Sequence, residues 1–153
     1  PLGTGDTLSW GKSSSTLGDV PAVDLGTGRS ASIITAGAQH TCAILDDSSL
    51  KCWGYNLYGQ LGQGDSYERG EKATELGDYL PAIDLGTGRT AVQVAAGRYH
   101  TCALLDDGSM KCWGKNAYGQ LGLGIADNDV GAWSGPAMGD SLPAVDFGSG
   151  TVT

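Results

Sequence analysis

The sequence predicts an all-β chain assembled from repeated units of short antiparallel strands, and three observations carry that prediction. Of the 153 residues 26 are glycine, far above ordinary usage and unsuited to helix interiors. The apolar residues alternate with period two rather than 3.6. A long motif recurs: His40 to Gly54 reads His-Thr-Cys-Ala-Ile-Leu-Asp-Asp-Ser-Ser-Leu-Lys-Cys-Trp-Gly, and a nearly identical run spans His100 to Gly114. Units of about 60 residues with several short strands and glycine turns fit the blades of a β-propeller better than a helical solenoid.

The offset of the motif also carries Tyr58-Gly59-Gln60-Leu61-Gly62 onto Tyr118-Gly119-Gln120-Leu121-Gly122, and Asp24 to Arg29 onto Asp84 to Arg89. Leu8-Ser9-Trp10-Gly11 is read as a loose partial copy of Leu50 to Gly54. Leu142 to Gly148 repeats Leu80 to Gly86. The chain therefore divides into a partial blade over 1–31, a full repeat over 32–91, and a second repeat over 92–153. That last unit carries a variant loop at 125–139 and the start of a further unit, which makes about two and a half blades in all. In this register Pro1 falls near Ala43 and Thr153 near Ala91, so both ends lie inside a blade. The first unit lacks a Tyr-Gly-Gln-Leu-Gly segment.

Within a unit, Val92 and Val94 alternate with Ala91, Gln93 and Ala95 ahead of Gly97, as in a strand. Reading Asp46-Asp47-Ser48 as a three-residue hairpin loop sets Leu45 against Ser49, Ile44 against Leu50 and Cys42 against Cys52. Gly108 stands at the third loop position of the second copy, where such a hairpin wants a left-handed residue. Ser48 fits that position less well.

The run His100 to Gly114, followed by Asn-Ala-Tyr-Gly-Gln-Leu-Gly, resembles the repeat of the regulator-of-chromosome-condensation family, in a cysteine-containing form. The resemblance implies four-stranded propeller blades and a closed ring of usually seven. Four blades of this length already need about 240 residues, so this chain does not close a ring alone. Exposed strand edges invite pairing, which implies self-association or a longer parent chain.

The two Cys-x9-Cys pairs, Cys42 with Cys52 and Cys102 with Cys112, are read as one disulfide per blade, with free buried thiols as the alternative. Stable disulfides need an oxidising compartment, which points to an extracellular or cell-surface protein. His40 and Cys42 share a strand face opposite Cys52, as His100 and Cys102 do opposite Cys112, so a zinc site competes. Structural zinc wants four ligands and closer cysteine spacing, and the histidines are read as packed or hydrogen-bonded residues near strand starts. Asp127, Asn128 and Asp129 offer oxygens for calcium, but the twelve-residue loop ending in Glu is missing.

Gly86-Thr87-Gly88-Arg89 lacks the frame of a phosphate loop and is read as a turn. Asp46-Asp47 and Asp106-Asp107 are read as hairpin-tip chemistry. Trp10, Trp53 and Trp113 follow the repeat and are assigned to packing between blades. Trp133, on the variant loop, is a candidate partner contact, with cover for its own loop as the equal alternative. Ser13 to Thr16 reads as a flexible connection that can carry O-glycans.

Seventeen acidic against nine basic residues give a net charge of −8, which disfavours nucleic acid and anionic membranes as partners. No apolar run is long enough to span a bilayer. No acid, base and nucleophile converge, and no cofactor motif is present. The reading is a non-enzymatic structural or interaction module, a building unit of an extracellular filament, appendage or surface propeller that assembles through blade edges. The alternative is a propeller like the family's nucleotide-exchange factors, or another regulatory or inhibitory protein-binding propeller.

Overall fold

The structure is a computed structural model that describes residues 2–8, 18–125, 128–133 and 137–148. It contains two antiparallel sheets of three strands each, in sequential order. The first holds β1 (Ala31–Ala36), β2 (His40–Leu45) and β3 (Leu50–Gly54); the second holds β4 (Ala91–Ala96), β5 (His100–Leu105) and β6 (Met110–Gly114). Three single 3-10 turns, Ala73–Glu75, Gly77–Tyr79 and Gly139–Ser141, lie in the connections.

The register is the one the hairpin reading requires. Cys42 faces Cys52 and Ile44 faces Leu50, and in the second unit Cys102 faces Cys112 and Leu104 faces Met110. Leu45 N donates to Ser49 O at 2.8 Å to close the loop. Ser48 takes φ 66°, the left-handed conformation that Gly108 adopts with φ 82°.

The fourth strand implied by the family resemblance is reduced to one antiparallel bridge in each unit, Gly54 with Arg69 and Gly114 with Val130. Gly54 and Gly70 lie at φ 116° and 102°, so the backbone leaves extended geometry on both sides of the bridge and no ladder propagates. The described residues thus form two open blades rather than a ring.

The first sheet uses both of its faces. Cys42, Ile44, Leu50 and Cys52 are buried in a cluster with Ala103, Leu105 and Trp113 of the second sheet. On the opposite face Ala43, Leu45 and Trp53 pack with Leu76, Leu80, Val23 and Leu25. Trp53 and Trp113 are therefore both core residues, and Trp10 lies outside the described residues.

Two buried lysines tie the connections to the sheets. Lys51 Nζ donates to Leu25 O at 3.0 Å and Gly77 O at 2.7 Å, and Lys111 Nζ donates to Leu85 O and Gly139 O. These carbonyls satisfy cations that would otherwise be costly to bury.

The chain start is placed differently from the sequence register. Gly3 and Gly5 have φ 80° and 73°, matching Gly62 and Gly64 at 66° and 75°. Gly3 lies against the Trp53 indole as Gly62 lies against Trp113. Leu2-Gly3-Thr4-Gly5-Asp6 thus corresponds to Leu61-Gly62-Gln63-Gly64-Asp65 rather than to the strand around Ala43. The segment thought missing from the first unit is partly supplied by these residues. The looser match around Trp10 obscured this, because a Leu-Gly-x-Gly string is weak evidence in a glycine-rich chain.

Candidate functional site

No described group of three or more His, Cys, Asp and Glu is placed to hold a metal. The cysteines bond one another instead, Cys42 to Cys52 and Cys102 to Cys112, which removes them as zinc ligands. Asp129 Oδ1 accepts from Asn116 N at 2.9 Å, and Asp127 lies outside the described residues. The turn residues do turn chemistry: Arg89 N donates to Gly86 O, while Asp140 accepts from Thr87 N and Oγ1. Asp107 accepts from Ser109 N and Oγ, and these bonds, with Arg89 nearby, lower its pKa to about 2.

His40 is buried at the junction of the two units, with its Nε2 2.9 Å from Thr101 Oγ1. Burial first, and His100 second, lower its pKa to about 4. His100 has no such tight setting; it is half-buried, and desolvation lowers its pKa too. His40 is thus an interblade residue.

Three surface features remain as candidates for recognition. The first is the outer face of the second sheet. Cys42, Ile44 and Leu50 are fully covered by the following blade, but their counterparts Cys102, Leu104 and Met110 are only half-buried. With Ile33, Val94 and Ala95 they line an open, mainly apolar groove of about 370 Å³.

The second feature is Trp133, 69% exposed. The backbone of Gly131 and Ala132 lies against Gly59 of the first unit, where a side chain has no room. That approach brings the Trp133 indole edge-on to Tyr67, itself 65% exposed, with ring centroids 5.9 Å apart. The variant loop thus reaches across to the preceding blade. Tyr67 escaped the sequence reading because its partner is fixed only by that docking.

The third is a cluster of rings at the same interblade junction. Tyr58 and Tyr99 lie 5.2 Å apart and Tyr55 lies 6.2 Å from Tyr99. Lys115 Nζ stands 4.6 Å above the Tyr58 ring and 5.6 Å from that of Tyr99. Desolvation, and then Tyr58, Glu68 and Tyr99, raise the Tyr55 pKa. No sequence motif announces this cluster, because apart from Tyr58 it draws on positions where the two repeats differ. Lys115 aligns with Tyr55, and Tyr99 with Gln39.

The repeat agrees with comparison to known proteins. The Regulator of chromosome condensation (RCC1) repeat matches residues 32–60 and 91–120, and a second profile of the same description matches 51–104. The chain belongs to the RCC1 repeat family. It is 34% identical over 137 residues to the Arabidopsis thaliana Ultraviolet-B receptor UVR8, covering 82% of this chain and 29% of that protein. It is 39% identical over 101 residues to mouse Protein RCC2, covering 66% of this chain and 17% of that protein. Human WBSCR16 is similar in structure, with TM-score 0.56 and 25% identity over 68% of this chain and 25% of that one. The chain spans less than a third of the length of these relatives. Among the described residues no helix is long and apolar enough to cross a membrane.

Proposed function

We propose that the chain is a non-enzymatic, protein-binding structural module whose open blade face receives a further blade of the same repeat, from a longer chain or another copy. The observation that carries this reading is the difference between equivalent residues. Cys42, Ile44 and Leu50 are sealed by Ala103, Leu105 and Trp113, while Cys102, Leu104 and Met110 line a solvent-open groove. An apolar face of this kind gains from burial at about 25 cal/mol per Å².

The two disulfides support an extracellular or cell-surface setting, and stacking of identical modules supports a filament, appendage or surface propeller there. Trp133 with Tyr67 is the proposed contact for a non-self protein partner, since exposed aromatic pairs of this type are frequent centres of binding energy.

Sedimentation of the native chain over a concentration series, with electron microscopy, tests the assembly. Association that Leu104→Lys abolishes while the strand content is retained is the expected result. A monomer at the highest soluble concentration, or association indifferent to Leu104→Lys and Met110→Lys, overturns it. Four free thiols in native material overturn the setting.

A further inference from the structure

In an acidic chain the placement of each cation is informative. Arg29 and Arg89 pair with the hairpin-tip aspartates, Arg69 with Asp65, and Lys72 with Glu75. Lys51 and Lys111 are buried against backbone carbonyls. Among the described residues Arg98 and Lys115 are the two cations with neither a carboxylate partner nor a backbone carbonyl holding the charged group, and both lie on the tyrosine cluster. The Arg98 guanidinium is 5.3 Å from the Tyr99 ring centre, and Lys115 bridges Tyr58 and Tyr99.

Backbone bonds fix the base of this arrangement. Lys115 N donates to Tyr99 O and Tyr55 N donates to Gln39 O, both at 2.8 Å. Tyr58 belongs to the turn closed by Gly59 N to Asn56 O, and Tyr58 N donates to Gln60 Oε1. Tyr55 and Tyr58 come from the first blade and Tyr99, Arg98 and Lys115 from the second, so the platform exists only where the two meet. The rings hold the cations in place through their π faces without neutralising them, leaving the positive charge able to accept a second, anionic partner.

We infer that the Tyr58, Tyr99, Arg98 and Lys115 junction is a docking surface for an acidic peptide segment of a partner protein. Charge complementarity selects this occupant. A net charge of −8 repels such a segment elsewhere on the molecule, while two cations engaged in no ion pair, beside apolar ring faces, attract carboxylates and cover their aliphatic stems. The surface is distinct from the open blade face, so its test stands or falls independently of blade stacking.

Fluorescence anisotropy of the full chain with a dye-labelled peptide of alternating Glu and Gly, and with its Lys/Gly counterpart, provides the test. The acidic peptide binds and the basic one does not. Arg98→Ala with Lys115→Ala weakens binding by about tenfold or more, and added salt weakens the native protein more than the variant. Lys72→Ala leaves affinity unchanged. Tyr99→Phe, which keeps the ring face, retains binding, whereas Tyr99→Leu reduces it; circular dichroism confirms that each variant is folded. Inorganic phosphate competing as well as the peptide reduces the surface to a simple anion site and overturns the proposal. Equal binding of both peptides, no binding, or insensitivity to Arg98 and Lys115 does so as well.

Discussion

The imidazole of His40 in the first blade donates from Nε2 to Thr101 Oγ1 in the second, at 2.9 Å. The direction follows from the next link: Thr101 Oγ1 gives its only proton to Gln60 O, also at 2.9 Å, so it can only accept from histidine. The same Gln60 carbonyl receives the Trp113 indole N–H at 3.1 Å. One backbone oxygen thus joins a loop of the first blade to two strands of the second, and burial, with no partner at Nδ1, requires the imidazole neutral.

That requirement makes stability pH-dependent. The folded pKa of His40 is lowered to about 4 from 6.5, so the unfolded chain binds more protons between these values. Stability is therefore full above about pH 6.5 and falls as pH drops toward 4, by up to roughly 3 kcal/mol if His40 dominates. Urea unfolding of the native chain at a series of pH values shows this slope, and His40→Gln flattens it. Thr101→Val, which strands the His40 N–H, costs about 1–3 kcal/mol at pH 7.

The two disulfides are chemically identical but unequally placed. Cys42 and Cys52 are sealed between the sheets, while Cys102 is half-buried at the open face. A reducing thiolate must reach a sulfur to attack it, so Cys102–Cys112 opens first under mild reductant. Mass-resolved alkylation of the folded chain reports that order. Full reduction removes up to about 2.8 kcal/mol per bond on the chain-entropy estimate for an eleven-residue loop, seen as a lower unfolding midpoint. Equal alkylation rates for the two pairs contradict the difference in access.

The features legible from the sequence were those written twice. The Cys42–Cys52 register and the packing role of Trp53 and Trp113 follow from alternation and an offset of about 60 residues, which local strand geometry enforces. Features that depend on one blade meeting another were not legible. Gln60 reads as one letter of a turn motif, yet its carbonyl joins His40's partner Thr101 to Trp113. Tyr99 is distant in sequence from Tyr55 and Tyr58, and of the three only Tyr58 recurs, as Tyr118, so no period exposes their cluster. The fourth strand was over-read because the motif does not show that Gly54 and Gly70 both turn the backbone out of the ladder.

The hairpin tips offer a prediction in which the two repeats act as each other's control. Ser48 and Gly108 occupy the same left-handed position, at φ 66° and 82°. A side chain there costs roughly 1–2 kcal/mol relative to glycine, while glycine in the unfolded chain gives back part of that as entropy. Ser48→Gly is therefore stabilising by about 0.5–1 kcal/mol, and Gly108→Ser is destabilising by a similar amount. In both copies the adjoining aspartate is tied to the serine that follows: Asp47 Oδ1 accepts from Ser49 N and Asp107 Oδ1 from Ser109 N, each at 3.0 Å. The loop is thus held on either substitution and the strand register is kept. Paired urea titrations of the two single variants and the double variant provide the check. Opposite signs with near-cancellation in the double variant are expected, whereas a destabilising Ser48→Gly shows that the hydroxyl residue is favoured at that tip.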